Sequence, residues 1–198
     1  MFYPPTAPEL KAVMRQKGYT VFGGGQQPYD LNLFGVRTKD MQANTFNDWI
    51  GVMYLLEGVW SMFAFPGTTD PGTYWRKHPM NVAGTALLKP GQYRGAFKVG
   101  VHKDYSALQQ NSELPVYRDA DRDDVLFTDE HSVQKGMFGI NLHRASATHP
   151  SLKVDKWSAG CQVLQDPMHF AFLMALCKRA ANIWGNSFTY TLLTESDF

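Results

Sequence analysis

The 198-residue chain predicts a β-rich α+β domain, and three observations lead there. Short runs of aromatic and β-branched residues recur along it, bounded by Gly, Pro or Asp. Only two segments have the apolar spacing of a helix. Hydrophobic residues make up 44% and aromatic residues 14%, enough for a substantial core.

The elements follow in order. Pro8 to Lys17 reads as a helix: Leu10, Val13 and Met14 share a stripe, and Gly18 is the stop. Gly23-Gly24-Gly25 lacks the Lys-Ser/Thr ending of a phosphate loop and reads as a turn. Asp30 to Thr38 alternates as a strand. Phe46 to Phe65 reads as a hairpin about Gly58, with arms Trp49–Tyr54 and Val59–Phe65, and Pro66 to Gly72 as a loop. Thr85–Leu88 and Ala96–Val101 are strand candidates with Pro90-Gly91 turning between them. Val116-Tyr117, Met137–His143 and Gln162–Leu164 are further candidates. Asp166 caps a helix that runs through Ala181, with Pro167 at its first position. Phe188 to Leu193 closes the chain as a strand. Residues 1–45 are expected as an N-terminal helix and edge segment packed on a domain spanning 46–198.

Composition also excludes classes. Against 19 Lys and Arg stand 18 Asp and Glu, so the basic excess of a counterion-releasing nucleic-acid binder is missing. No run approaches the length of a membrane-spanning helix. The opening residues show no basic segment followed by an apolar one, which predicts synthesis in the cytoplasm without a secretory signal. Two cysteines build no disulfide framework.

The two cysteines differ. Phe170, Leu173, Met174 and Cys177 fall on one helical stripe, so Cys177 reads as core. Cys161 lies in Trp157-Ser158-Ala159-Gly160-Cys161-Gln162-Val163, where small residues let a second backbone or a substrate approach and leave amides to face a developing oxyanion. Eighteen residues upstream, His143 ends a strand candidate, and the polar loop between them brings the two strand ends together. An imidazole that takes the thiol proton makes a competent nucleophile. Its other nitrogen needs a partner to fix the tautomer, and a backbone carbonyl serves.

A strand histidine followed by Ser158-x-Gly160-Cys161 resembles the catalytic motif of the L,D-transpeptidase (YkuD-like) family, cysteine enzymes that act on peptidoglycan stem peptides. Ala159 stands where that family usually has a second His, and Val163 where it has Asn or Arg. Lys89-Pro90-Gly91-Gln92-Tyr93 is a loose counterpart of the family's earlier turn. The chain is most similar to a divergent phage or prophage branch. The resemblance implies a mixed sheet or β-sandwich with a few helices. It implies Cys161 as nucleophile, His143 as base and then acid, and the Arg144 carbonyl as the imidazole's holder. Gly160 and Cys161 would supply oxyanion N–H groups, and Ser158 would shape the turn. Thr69, Asp70, Tyr93, His102 and Trp157 are candidate substrate contacts. The implied partner is bacterial peptidoglycan, met by a monomer after phage lysis, with no cofactor, metal, nucleic acid or membrane. Hydrolysis through a thioacyl-enzyme is the expected outcome, and cross-link formation the alternative.

Other constellations compete. Asp119-Ala120-Asp121-Arg122-Asp123-Asp124 with Glu130 at the twelfth position is similar to a calcium loop, but Asp124 occupies the glycine position. His102, His131, His143 and His149 with an Asp would suit a zinc peptidase, though no His-Glu-x-x-His appears. A non-catalytic wall-binding module would use the aromatics alone.

Overall fold

A computed structural model describes residues 2–25, 27–40 and 44–198; Met1, Gln26 and residues 41–43 of the expected N-terminal segment lie outside the described residues. In chain order the elements are α1 (Ala7–Gln16), β1 (Asn32–Arg37), β2 (Asp48–Leu56), β3 (Val59–Thr68), α2 (Thr73–Lys77), β4 (Thr85–Leu88), β5 (Gly91–His102), β6 (Tyr105–Gln110), β7 (Leu114–Asp119), β8 (Gln134–Gly136), β9 (Leu142–Arg144), β10 (Gln162–Leu164), α3 (Pro167–Trp184) and β11 (Phe188–Thr194).

The fold is β-rich with few helices. Eight strands form one closed sheet in the order β1-β11-β5-β6-β9-β10-β3-β2, and β4-β7-β8 form a small second sheet. The closed sheet is mixed: β1 runs parallel to β11 and β9 parallel to β10. A mixed sheet or β-sandwich was expected; the mixed sheet found here closes on itself into a barrel.

Alternation along the strands sorts side chains to its two faces. Leu33, Ile50, Val52, Leu142, Leu164 and Tyr190 form one cluster with Phe170, Leu173, Met174 and Cys177 of α3, so α3 packs on the inner face. Phe34, Val36, Met53 and Leu193 form another with Leu10, Val13 and Met14, so α1 covers part of the outer face. A capping box between Thr6 and Glu9 starts α1, and the Asp166 side chain accepts from the Met168 N–H to start α3.

The hairpin turn at Gly58 forms as expected, with φ +79°. The segment expected as a loop from Pro66 begins instead as strand. Pro66 pairs opposite Trp49, and Thr68 opposite Val163. The Pro66 carbonyl accepts from the Gln165 N–H at 3.1 Å, and Gly67 leaves room where a Cβ would lie 2.9 Å from the Val163 carbonyl oxygen. Pro90 does not turn a hairpin, because β4 and β5 belong to different sheets.

Met137–His143 is not one continuous strand. The Phe138 and Ile140 amides donate to Gln110 Oε1 at 3.0 and 2.9 Å, so one side chain replaces a strand partner there. Only Leu142–Arg144 enters the barrel.

Candidate active site

Parallel pairing brings the ends of β9 and β10 side by side, with Gln162 opposite Leu142 and Val163 opposite His143. Leu142 joins the inner cluster, and Gln162 Oε1 accepts from buried Tyr190 Oη at 2.9 Å. Alternation therefore turns Asn141 and His143 to the outer face, with Cys161 beside Asn141.

His143 is 4% exposed, and its Nδ1–H donates to the Arg144 carbonyl at 2.8 Å. That bond leaves a lone pair on Nε2. The same carbonyl accepts from Tyr105 Oη at 3.4 Å, and the Arg144 guanidinium lies 3.8 Å from the Tyr105 ring centroid. Burial, followed by the positive surroundings of His102, Lys103 and Arg144, outweighs the carbonyl bond and presses the imidazole down to about 4. At neutral pH His143 is an uncharged base.

His102, at the end of β5, stacks on His143 with ring centroids 4.4 Å apart and planes 11° from parallel. Asn141 orients it. Asn141 Oδ1 accepts from the Gln110 N–H at 2.9 Å, so its Nδ2 is the atom facing His102 Nδ1 at 3.1 Å. The proton of neutral His102 therefore sits on Nε2. Burial lowers the pKa of His102 too.

Cys161 is half-buried. Its Sγ accepts from the Asn141 N–H at 3.5 Å and donates to the Gly139 carbonyl at 3.4 Å. Burial pushes the thiol up to about 11 despite the Asn141 amide. The resting thiol is thus neutral and points its hydrogen at Gly139 O. Cys177 is fully buried on α3, as its stripe predicts.

The turn before Cys161 is built by Ser158, whose Oγ donates to the Cys161 carbonyl at 2.8 Å and accepts from the Gly160 N–H at 3.2 Å. That corrects the expected pair of oxyanion donors: the Gly160 amide is spent inside the turn, and the Cys161 amide alone has no partner among the described residues. Glycine is required at 160 for a different reason. Its φ is +119°, and a Cβ there would lie 2.3 Å from the Ala86 carbonyl oxygen of β4. The second backbone that approaches is the protein's own.

The remaining expected contacts disperse. Thr69 and Asp70 are buried in a rivet that joins the barrel to β4. Arg37 Nε donates to Asp70 Oδ1 at 2.6 Å, Arg37 Nη1 to the Leu88 carbonyl at 3.0 Å, and Thr69 Oγ1 to Asp48 Oδ2 at 2.8 Å. They support structure rather than line a groove. Tyr93 donates to the Lys89 carbonyl and pairs across from Tyr190, on the β11 side of β5. Trp157 is 40% exposed, and its amide donates to the Val154 carbonyl.

In the acidic run, Asp119 pairs with Arg76 at 2.6 Å and Asp124 with Lys77 at 2.8 Å, while Glu130 pairs with Lys89, so protein cations occupy these carboxylates. His149 Nδ1 faces Thr148 Oγ1 at 3.0 Å, and His131 lies in a single 3₁₀ turn. Among the described residues no three His, Cys, Asp or Glu side chains converge as metal ligands. No described helix is long and apolar enough to cross a membrane.

Asn141 and Gln110 are the members that sequence reasoning missed. Asn141 lies two residues before His143, on the same strand face, and parity alone would have nominated it. No family model matches the chain, and neither a curated protein nor a solved structure does so.

Proposed function

We propose that the protein is a cysteine-dependent hydrolase of peptidoglycan stem peptides. The observation that carries the reading is the His143 Nδ1–H bond to the Arg144 carbonyl, which holds a neutral base on the strand beside Cys161. The chemistry starts with the thiol turning from Gly139 O toward Nε2. Sγ adds to a peptide carbonyl carbon as its proton passes to His143 Nε2. The tetrahedral oxyanion takes the Cys161 N–H. As it collapses the C–N bond breaks, and His143 returns the proton to the leaving amine. Water then adds to the thioester with its proton going to His143, the C–S bond breaks, and the sulfur regains its proton.

Purified peptidoglycan digested with the protein and analysed by mass spectrometry tests this. Release of stem-peptide fragments that Cys161→Ala abolishes and a chelator does not is the expected result. Products that persist in Cys161→Ala would refute it, and new cross-links would move the assignment to transpeptidation.

A further inference from the structure

A cavity of about 260 Å³ adjoins the Cys161 turn. Ala159 lines it, two residues from the thiol, so the two Cα atoms are at most about 7.6 Å apart. Ala86, whose carbonyl abuts Gly160, and Phe138, next to Gly139, also line it. Trp75 and Asn81 are further wall residues.

Among the described residues, Arg118 of β7 is the only charged one lining this cavity. It is 7% exposed and forms no ion pair with any described residue. Buried guanidinium groups are ordinarily paired. Its Nε donates to Gln134 Oε1 at 2.9 Å and its Nη1 to the Gly84 carbonyl at 3.2 Å, and the group stacks 4.6 Å from the Phe138 centroid. Its orientation is therefore fixed. A guanidinium has five N–H donors in a fork that matches a carboxylate. Those that Gln134 and Gly84 leave unused have no protein partner among the described residues, and they are not among the side-chain atoms sealed from solvent. A cavity of this size suits one terminal residue rather than a whole ligand.

We propose that Arg118 binds a carboxylate of the peptide substrate and so seats the scissile bond over Cys161. This rests on the peptide-hydrolase reading and names what the site recognises. A stem peptide offers two sources of that group, the C-terminal carboxylate and the free α-carboxylate of its isoglutamate.

Calorimetric titration of Cys161→Ala with three peptides tests it: L-Ala-D-isoGlu-L-Lys-D-Ala, its C-terminal amide, and its D-isoglutamine analogue. Amidating the carboxylate that Arg118 holds is expected to weaken binding by about 10- to 100-fold, the loss of a charge-assisted hydrogen bond. In Cys161→Ala/Arg118→Gln that ratio should fall to about one, and Cys161→Ala/Arg118→Lys should keep part of it. The ratio is read within each variant, so a change in stability does not imitate it. Equal binding of all three peptides, absent binding, or a preference that survives Arg118→Gln overturns the proposal. Turnover of the parent peptide by the unaltered protein is scored separately. Arg118-dependent binding without turnover defeats the hydrolase reading alone, and turnover without acid preference defeats the carboxylate subsite alone.

Discussion

His143 ties the protein's stability to pH, and the size of the effect follows from its burial. The unfolded chain binds a proton on this residue near the ordinary 6.5, whereas the folded site holds it down to about 4. Between those values the unfolded state carries a proton that the folded state refuses. Stability from this group is therefore complete above about 6.5 and is lost as pH falls toward 4. A difference of about 2.5 units at 1.36 kcal/mol each amounts to about 3 kcal/mol, a large share of a domain's total. Asp70 and Asp119 act in the opposite sense: burial raises Asp70 to about 7 and Asp119 to about 6. The measurement must therefore be a difference against His143→Asn, whose amide nitrogen keeps a donor for the Arg144 carbonyl. Urea unfolding of both proteins, followed by tryptophan fluorescence at pH 4 and pH 7, supplies it. The advantage of the natural protein over the variant should grow by about 3 kcal/mol between the two, a midpoint shift of about 1 M or more. Curves that stay parallel within about 0.5 kcal/mol would refute the buried neutral imidazole.

Three further outcomes are expected. Gly160→Ala combines backbone strain with overpacking against the Ala86 carbonyl and should cost about 2–6 kcal/mol. Gly139→Ala, at φ +74° with open space around its Cβ, should cost only about 1–2 kcal/mol, and equal costs in urea would sink the packing account. Iodoacetamide labelling of Cys161 should be slow at pH 7 and rise about tenfold per pH unit toward 10, with Cys177 silent in the folded chain; fast, pH-independent labelling would reveal a resting thiolate. Asp70→Asn should remove a loss of stability that the natural protein suffers as pH rises from about 4 to about 7, read by the same urea series.

The sequence made some of this legible and hid the rest for identifiable reasons. Trp49–Phe65 announced its hairpin because alternation and Gly58 agree. Helix α3 was plain from Asp166, Pro167 and its apolar stripe. β6 was hidden because Tyr-Ser-Ala-Leu-Gln-Gln carries half its weight in polar residues, whose buried faces are satisfied by long-range bonds such as Gln110 to Ile140. At the site, His143 at a strand end was readable from local pattern, whereas the Arg144 carbonyl and the Ser158 turn were named only by the family resemblance. The Asn141–His102 contact was not, because it joins residues 39 apart that only barrel closure brings together. Asp70 misled because a polar residue after Pro-Gly reads as surface, while Arg37, thirty-three residues earlier, draws it inside.

The same burial that shapes the site constrains how it can react. Burial pushes the Cys161 thiol up to about 11 and presses the His143 imidazole down to about 4, so both groups rest uncharged at neutral pH and a resting thiolate–imidazolium pair is disfavoured. In the proposed reaction, proton transfer to His143 and attack by Cys161 would therefore be made together, with the substrate carbonyl taking up the charge as the sulfur loses its proton. A seated substrate is then part of the activation. Under the proposed function, Arg118 in the wall of the cavity that adjoins the Cys161 turn would hold the peptide's anion and so fix the carbonyl where charge develops.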